Sequence, residues 1–554
     1  MSVVMLKVED LLGKGYFPKE LPPPFTSQKL AHKYSSINSL WASIFNALSR
    51  SDKKVYRDSR CLSFSIPKVG FSRRQISLPN PLHQSILSDS ICKNWSEIEK
   101  IYLCSPLSTS RPVVDTKGSR SVKNRRNYKE FKEGCILNSY AHLSLMRTDI
   151  SRYYPTIYTH IIPWAIHGKT TAKENRDDYS LLGNILDRDV RNTQSGQTMG
   201  IPIGPDTSLI ISEIIACKID EELISKIGDL NGARYYDDYF LFFSDYAKAE
   251  KTLKCLQSIL AAYHLDINEE KTRIERFPAP FESSWSIFLS RFEFRDGKTS
   301  QATDLYRYFS LAFESAQKHP NDSVLKYAVK RLEYIEILPE NWRVFESLLL
   351  KSALSEPSTL PEVVKILISN ESYVSKDRVE KLAQEIILIH CFKAHSFEVS
   401  WSLWLLRSFK INLDVCIAEK VIASGDPISV LIVLDMRNCG LISGSLDISS
   451  VELDLTSSSL FDEKWLLTYE SVKKGWLKPP DPGLLSSNEY FNLLSKEDIE
   501  FYAENQQLEK IEINKKSGAS DSKEAPEPKE ETIPSVEEYT SDANLAITDV
   551  VTLY

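Results

Sequence analysis

The stretch "GARYYDDYFLFF", Gly232–Phe243, places two adjacent aspartates inside a run of aromatic and aliphatic residues. The short apolar runs on each side of Asp237 and Asp238 predict two β-strands joined by a hairpin turn, with both carboxylates at its tip. Like charges in apolar surroundings repel, and each raises the free-energy cost of ionising the other. The pair therefore either lies at an exposed turn or is neutralised by a bound cation.

A third carboxylate upstream favours the cation. Asp149 ends the apolar run before "ISRYY", which predicts a position at the end of a buried strand. Three acids would meet if this strand lay beside the hairpin, and they could ionise together only with cations present. Mg²⁺ is the usual partner of such carboxylates and of substrate phosphates. A pair of ions would activate an attacking hydroxyl and stabilise the leaving group in phosphoryl transfer.

Four sequence elements follow one another in the order found in the palm of reverse transcriptases. They are D-x-x-x-x-Y at Asp149–Tyr154, "GIPIG" at Gly200–Gly204, "YYDD" at Tyr235–Asp238 and "LDINEEKT" at Leu265–Thr272. On these motifs roughly residues 60–295 resemble a reverse transcriptase. The resemblance implies an RNA-directed DNA polymerase, a nucleotidyltransferase that uses dNTPs, Mg²⁺ and an RNA template or DNA product.

Further stretches resemble the abortive-infection and defence-associated (antiphage) reverse transcriptases of bacteria. These stretches are "GYFPKELPPPF", "DISRYYPTIYTHIIPWAIHGK", "GIPIGPDTSLIISE" and, in the helical half, "SFEVSWSLWLLRSF". This likeness implies a role in antiphage defence. Many reverse transcriptases carry glutamine where this chain has Ile203, a side chain that cannot hydrogen-bond. The departure favours template-restricted or untemplated synthesis.

The resemblance also implies roles for individual residues. Asp149 and Asp237 would hold both metal ions, with the Ile150 carbonyl as a further ligand and Asp238 as a helper. Lys271 would lie near the pyrophosphate as a proton donor. The remaining nucleotide-binding candidates are Tyr154 as a steric gate against the 2′-hydroxyl, Gly200, Pro202 and Gly204 in the loop, and Arg111, Arg120, Lys123, Arg125 and Arg126 in the fingers.

Some members of this group prime DNA synthesis from a protein hydroxyl. Tyr539 and Tyr554 are the candidates for such priming here, because both lie in a Lys/Glu/Pro/Ser-rich tail that is predicted to be disordered. A tyrosine on a flexible segment could reach the acids and then retreat as the product grows.

The hydrophobic periodicity divides the chain into four parts. We expect an N-terminal extension at 1–60, an α+β fingers and palm with an antiparallel sheet at 61–295, helices at 296–510 and an acidic tail at 511–554. The helical part resembles a HEAT-like array, and an irregular helical bundle fits its periodicity equally well. Within the palm, "PDTSLIISEIIACKIDEELISKI" predicts a helix capped by Asp206, Thr207 or Ser208, and "FESSWSIFLSRFEF" predicts a strand.

Composition bounds the remaining possibilities. The net charge is −7, yet residues 111–133 are strongly basic, which is compatible with phosphate binding there. Nine scattered cysteines without C-x-x-C, and histidines without H-x-x-x-H, argue against a zinc site or disulfides. We therefore expect a cytoplasmic protein without a secretory signal or membrane span. The predicted partners are dNTPs, nucleic acid including a dedicated non-coding RNA, and a partner protein or further copies of this chain.

Two alternatives stay open at this point. One is a retron-like or maturase-like reverse transcriptase that copies a dedicated RNA, although the C-terminal half has no Cys/His endonuclease cluster. The other is a non-catalytic scaffold built on the same fold. The second is disfavoured because Asp149, Asp237, Asp238 and the gate Tyr154 are all present.

Overall fold

A computed structural model describes residues 4–68, 70 and 72–511, which divide into two units. The first unit holds the residues up to Phe64, Gln75–Phe281 and Ile448–Glu504, and the second holds Ser65–Arg74, Glu282–Asp447 and the described residues from Asn505 on. This division differs from the four consecutive parts expected from the sequence, because residues 448–504 return to the first unit. The candidate priming tyrosines, Tyr539 and Tyr554, lie outside the described residues.

The strands are short and form small sheets. In chain order they are β1 Leu62–Pro67, β2 Arg73–Leu78, β3 Pro112–Val114, β4 Val122–Asn124, β5 Ser144–Asp149, β6 Asn231–Tyr235, β7 Asp238–Phe243, β8 Arg273–Arg276, β9 Leu413–Asp414 and β10 Ile442–Ser443. β1 pairs with β2, β3 with β4 and β9 with β10, while the largest sheet has the order β6-β7-β5-β8.

Helices make up most of the described structure. They are α1 Val8–Gly13, α2 Gln28–Ala47, α3 Pro81–Lys93, α4 Trp95–Tyr102, α5 Tyr128–Ser139, α6 Tyr153–Thr156, α7 Ile161–His167, α8 Lys169–Glu174, α9 Leu182–Asn192, α10 Asp206–Ile227, α11 Tyr246–Ala262, α12 Ser284–Ser290, α13 Lys298–Lys318, α14 Val324–Arg331, α15 Pro339–Ser355, α16 Leu360–Ser369, α17 Lys376–His390, α18 Ser396–Ser408, α19 Val415–Ser424, α20 Pro427–Asn438, α21 Ser449–Leu453, α22 Trp465–Lys473 and α23 Glu489–Lys496. None of these helices is long and apolar enough to cross a membrane.

The four-stranded sheet of the first unit is antiparallel and carries helices on both faces. On one face Phe131 and Cys135 of α5 pack against Leu145 and Phe242. On the other face the buried α10 runs beneath β7, where the Tyr239 hydroxyl donates to a carboxylate of this helix. α10 is buried along most of its length, and its buried residues include the acids Glu213 and Asp220 as well as many apolar side chains.

Two local predictions in the first unit and the start of the second were wrong. α10 begins after Pro205 as its N-cap, and no side chain caps it. Asp206 instead lies in its first turn and accepts hydrogen bonds from Arg120 and Ser121. The stretch "FESSWSIFLSRFEF" contains the helix α12 rather than a strand. Its buried residues include Trp285 and Leu289, four positions apart, so the aromatic content concealed a helical period.

The second unit is built from successive helices. Its core includes the buried aromatic residues Trp342 and Phe345 of α15 and Trp401 and Trp404 of α18. The helices expected at 296–510 are confirmed as α13 to α23, of which α21 to α23 belong to the first unit, and the two-residue strands β9 and β10 lie among them. Whether these helices form a HEAT-like array stays a prediction.

Candidate active site

The three candidate acids meet where two neighbouring strands end. Asp149, the last residue of β5, is paired directly with Asp238, the first residue of β7. Directly paired residues of an antiparallel sheet project from the same face with Cβ atoms about 4.5–5.5 Å apart. Asp237 lies in the two-residue turn before β7, and its carbonyl accepts from the Ile150 N–H at 3.2 Å. The predicted hairpin and the predicted strand are thus adjacent, with their carboxylates together.

Lys271 joins this group from the turn that precedes β8, the strand on the other side of β5. Its ammonium donates to Oδ2 of Asp149 at 2.6 Å. The segment that carries it is held by the backbone, since the Asn268 N–H donates to the Asp149 carbonyl at 2.9 Å and the Ser151 N–H donates to the Asp266 carbonyl at 2.8 Å. The motif "LDINEEKT" therefore places one positively charged side chain beside the acids.

Burial makes full ionisation of this cluster costly. Burial, together with the negative charges of Asp237 and Asp149, raises the pKa of Asp238 to about 8, and Lys271 opposes the shift. Burial alone would lower the pKa of Lys271, but Asp238 and Asp149 outweigh it and raise that pKa. The cluster thus brings three carboxyl groups and the ammonium of Lys271 together, and burial and the neighbouring acids oppose the ionisation of Asp238.

The raised pKa predicts a pH-dependent stability. Between about pH 4 and pH 8 the folded protein keeps a proton on Asp238 that the unfolded chain releases, so the free energy of unfolding falls as pH rises. Asp238→Asn removes the titrating carboxyl group and with it this fall in the free energy of unfolding. In EDTA we expect its melting temperature to match that of the wild type near pH 4 and to exceed it increasingly towards pH 8.

Asp245→Asn is the matched control for this measurement, because Asp245 caps α11 at an exposed position. It should show no such divergence from the wild type across the pH range. A difference between the Asp238→Asn variant and the wild type that stayed constant with pH would contradict the assignment.

The loop "GIPIG" is fastened to the segment that carries Tyr154. The Gly200 N–H donates to the Ile157 carbonyl at 2.8 Å, and the Ile201 N–H donates to the Tyr154 carbonyl at 3.1 Å. Gly200 has a φ of 82°, and a Cβ there would lie 3.2 Å from the Pro155 carbonyl oxygen. Glycine is therefore required by the backbone itself at this position.

The other end of the loop is held by Arg120, which the resemblance had assigned to binding of the nucleotide. Arg120 donates to the carbonyls of Gly204 and Phe17, both at 3.1 Å, and to Asp206. Pro202 is buried, and the Ile203 carbonyl accepts from the Ser77 N–H at 2.7 Å. The structure thus gives Arg120 a supporting role for the loop.

The side chain of Tyr154 is positioned by α10. A hydrogen bond of 3.0 Å joins its hydroxyl to Oγ of Ser212, and the neighbouring Tyr153 hydroxyl donates to the Ser212 carbonyl at 2.7 Å. Sequence reasoning missed Ser212, which offers no signal beyond being a small polar residue in an apolar helix.

The basic region forms the β3–β4 hairpin, which contacts the aspartate turn. The side chain of Asn124 forms hydrogen bonds with the hydroxyls of Tyr235 and Tyr236 at 3.0 and 2.9 Å.

Arg111 and Arg125 flank this hairpin, and the Arg125 N–H donates to the Arg111 carbonyl. Burial and the charge of Arg125 both lower the pKa of Arg111, so the two guanidinium groups lie near one another. Lys123 lies 3.8 Å from Asp115, and Arg126 lies against Gly134 of α5.

A buried arginine beneath the aspartate turn escaped the sequence analysis. Arg234 is fully buried, and it donates to both oxygens of Glu213 at 3.1 and 2.8 Å, to Asp220 at 2.8 Å and to the Tyr236 carbonyl at 2.6 Å. The last bond holds a residue with a φ of 55°, immediately before Asp237. Two acids seven residues apart on one face of the apolar α10 were the available signal.

A comparison with protein families finds a match over the part of the chain that contains these residues. Residues 114–308 match the family model described as reverse transcriptase (RNA-dependent DNA polymerase). The matched range contains the three acids, Tyr154, the loop and Lys271, and reverse transcriptase domains generally use divalent metal ions, dNTPs and a nucleic acid template. A search of curated proteins found no match to the chain. Residues 114–308 therefore form a reverse transcriptase domain, and the protein is an enzyme of the nucleotidyltransferase class.

Proposed function

We propose that this enzyme synthesises DNA from dNTPs by Mg²⁺-dependent phosphoryl transfer at Asp149, Asp237 and Asp238. The pairing of Asp149 with Asp238 in adjacent strands is the observation that carries the proposal. It brings the acid before "ISRYY" to the acids of the hairpin, as a site for shared divalent ions requires. A scaffold without catalysis would have no need to keep a buried carboxylate, Asp149, beside the two half-buried ones of Asp237 and Asp238 at this free-energy cost.

The donor set fits Mg²⁺. The three side chains offer only oxygen ligands, which is the preference of a hard divalent cation, and the Ile150 carbonyl is proposed as a further ligand. A cation there would also favour the ionised form of Asp238, whose pKa burial raises to about 8. Mg²⁺ bound at the acids would lower the pKa of the attacking hydroxyl and stabilise the charge on the leaving pyrophosphate.

Basic side chains of the chain would bind and orient the triphosphate. Arg111 and Arg125 lie close together beside the aspartate turn, and a guanidinium group binds phosphate oxygens in a bidentate manner. Lys271 carries its proton at neutral pH, because the three acids raise its pKa. This proton is available at the acid cluster for the leaving group. Lys123 and Arg126 stay secondary candidates for the same function.

Tyr154 is proposed as the steric gate. Its ring is held between the loop and α10 by the Ser212 bond, and it lies in the short helix that follows the Asp149 strand. Tyr154→Val should increase the use of ribonucleotides relative to deoxynucleotides by about 10–100-fold, since it removes the ring from the path of a 2′-hydroxyl. The ratio of kcat/KM values for matched rNTP and dNTP pairs measures this change. Tyr154→Phe is the control, because it keeps the ring, and an unchanged ratio in Tyr154→Val would contradict the gate.

The decisive experiment for the activity uses the purified full chain. Each dNTP is incubated with the enzyme and Mg²⁺, with and without co-purified RNA, and the products are sequenced. Products that need the RNA indicate templated copying, whereas products formed without it indicate the untemplated synthesis favoured by Ile203. Absence of DNA under all of these conditions would overturn the proposed function.

The antiphage role is a separate proposal that rests on the sequence resemblance to defence-associated reverse transcriptases. Cells that express the wild-type chain should reduce phage plating, whereas cells that express the Asp237→Ala, Asp238→Ala variant should not. Equal phage plating on both strains would contradict the antiphage role without contradicting the proposed DNA synthesis, and it would favour the retron-like or maturase-like alternative.

A further inference from the structure

Two histidines and a glutamate of the second unit meet at the turn between α17 and α18. His390 is the last residue of α17, His395 is the N-cap residue of α18, and Glu398 lies in the first turn of α18. The 3₁₀ turn Cys391–Lys393 and the left-handed backbone of Ala394, with a φ of 53°, reverse the chain between the helices. The two histidines have the spacing H-x-x-x-x-H, which occurs in zinc sites, but no C-x-x-C pair accompanies them and the pattern H-x-x-x-H is absent, so the sequence predicted no zinc site.

The ligand atoms of these side chains converge. Nδ1 of His390 lies 2.8 Å from Nδ1 of His395, and Oε1 of Glu398 lies 3.8 and 3.7 Å from these nitrogens. The circle through three atoms at these separations has a radius of about 2.0 Å, which is also the usual length of a bond from Zn²⁺ to imidazole nitrogen or carboxylate oxygen. One ion could therefore reach all three atoms after rotations of the two rings.

The surroundings of the two histidines favour their neutral form. Burial lowers the pKa of His390 to about 4 against the attraction of Glu398. Burial and the charge of Arg73 likewise lower the pKa of His395, and Lys393 acts in the same direction on both rings. Both shifts favour the neutral imidazole, and a neutral imidazole presents a lone pair to a metal ion.

The carboxylate is held in place by a second layer of hydrogen bonds. Arg73 donates to both oxygens of Glu398 at 2.7 and 2.8 Å, and its own position is fixed by bonds to Ser65. Metal-binding carboxylates are commonly oriented by such partners. The side chain of Glu398 is 1% exposed, whereas those of His390 and His395 are 15% and 22% exposed, so the nitrogen side of the cluster opens to solvent.

We propose that His390, His395 and Glu398 form a binding site for a borderline transition-metal ion, represented by Zn²⁺, with solvent completing its coordination. Two imidazole nitrogens and one carboxylate oxygen are a typical zinc donor set and a poor one for Mg²⁺. The site is thus chemically distinct from the all-oxygen cluster at Asp149, Asp237 and Asp238.

The test is a Zn²⁺ titration of the metal-stripped full chain against a chromogenic chelator, in excess Mg²⁺ to occupy oxygen-ligand sites. We expect one Zn²⁺ per wild-type chain, and at least a 10–100-fold weaker affinity in the His390→Ala, His395→Ala variant. Zn²⁺ should also raise the melting temperature of the wild type but not of this variant. His32→Ala, which removes an exposed histidine of α2, is the matched control and should bind as the wild type does.

Co²⁺ bound to the wild-type chain provides a readout that needs no variant, because its visible absorption should show nitrogen ligands. Equal Zn²⁺ affinity in the wild type and the double histidine variant would overturn the proposal. So would a wild type that binds no Zn²⁺ in excess Mg²⁺, or Co²⁺ spectra with oxygen ligands alone. The two rings would then share only an N–H···N hydrogen bond. None of these outcomes bears on the DNA synthesis proposed above.

Discussion

Replacing Asp237 and Asp238 with alanine is expected to abolish nucleotide incorporation while the chain stays folded. The change removes two of the three carboxylates that face one another across β5 and β7, so no divalent ion could be held at the proposed site. The loss should exceed about 10³-fold in kcat/KM, because charge stabilisation in the transition state would disappear. Incorporation of labelled dNTPs measures the activity, and circular dichroism reports the fold.

The chain offers a matched control with the same dipeptide. Asp177 and Asp178 are also adjacent aspartates, and both are exposed. The Asp177→Ala, Asp178→Ala variant loses the same charge and should retain full activity. Incorporation by the Asp237→Ala, Asp238→Ala variant at the level of this control would refute the assignment of the acids.

Arg234→Met is expected to have the largest effect on stability. It leaves Glu213 and Asp220 buried without their cationic partner, and breaking a buried ion pair in this way costs about 3–5 kcal/mol. It also releases the Tyr236 carbonyl next to Asp237, so activity should fall even where the protein is folded. Urea unfolding measures the free energy, and dNTP incorporation at low temperature measures the activity.

Two further variants separate the electrostatic effect from the positioning effect. Adding Glu213→Gln and Asp220→Asn to Arg234→Met removes the unpaired charges and should recover much of the stability, but not the activity, because the Tyr236 carbonyl is still unheld. Arg276→Met, at an exposed position of β8, is the control for loss of a strand arginine. Full activity in the triple variant would show that Arg234 is important for stability alone.

Local sequence patterns were sufficient to predict the strand and the hairpin that hold the three candidate acids. The apolar runs around Asp237 and Asp238 predicted the hairpin, and the run before Asp149 predicted the strand that lies beside it. The same reasoning failed at Trp285, since aromatic residues are common in strands and α12 is too short to display several turns. It also misassigned the cap of α10, because Asp206 is bound by Arg120 and Ser121 rather than by the helix.

Other features depend on residues that are distant in sequence. No spacing rule connects Arg234 with Glu213, or Lys271 with Asp149, because their contacts follow from how strands and helices pack. The cluster of His390, His395 and Glu398 arises from a chain reversal between two helices. Burial likewise emerges only on packing, and burial raises the pKa of Asp238 and lowers that of His390.

The sequence by itself determined which side chains of the reverse transcriptase domain are candidates for catalysis and predicted the local elements on which several of them lie. Only the tertiary structure decided which of these groups meet, what charge each carries and what holds it in position. The physical reason is that periodicity and turn chemistry act over a few neighbouring residues, whereas electrostatic free energy depends on burial and on every charge within several ångströms.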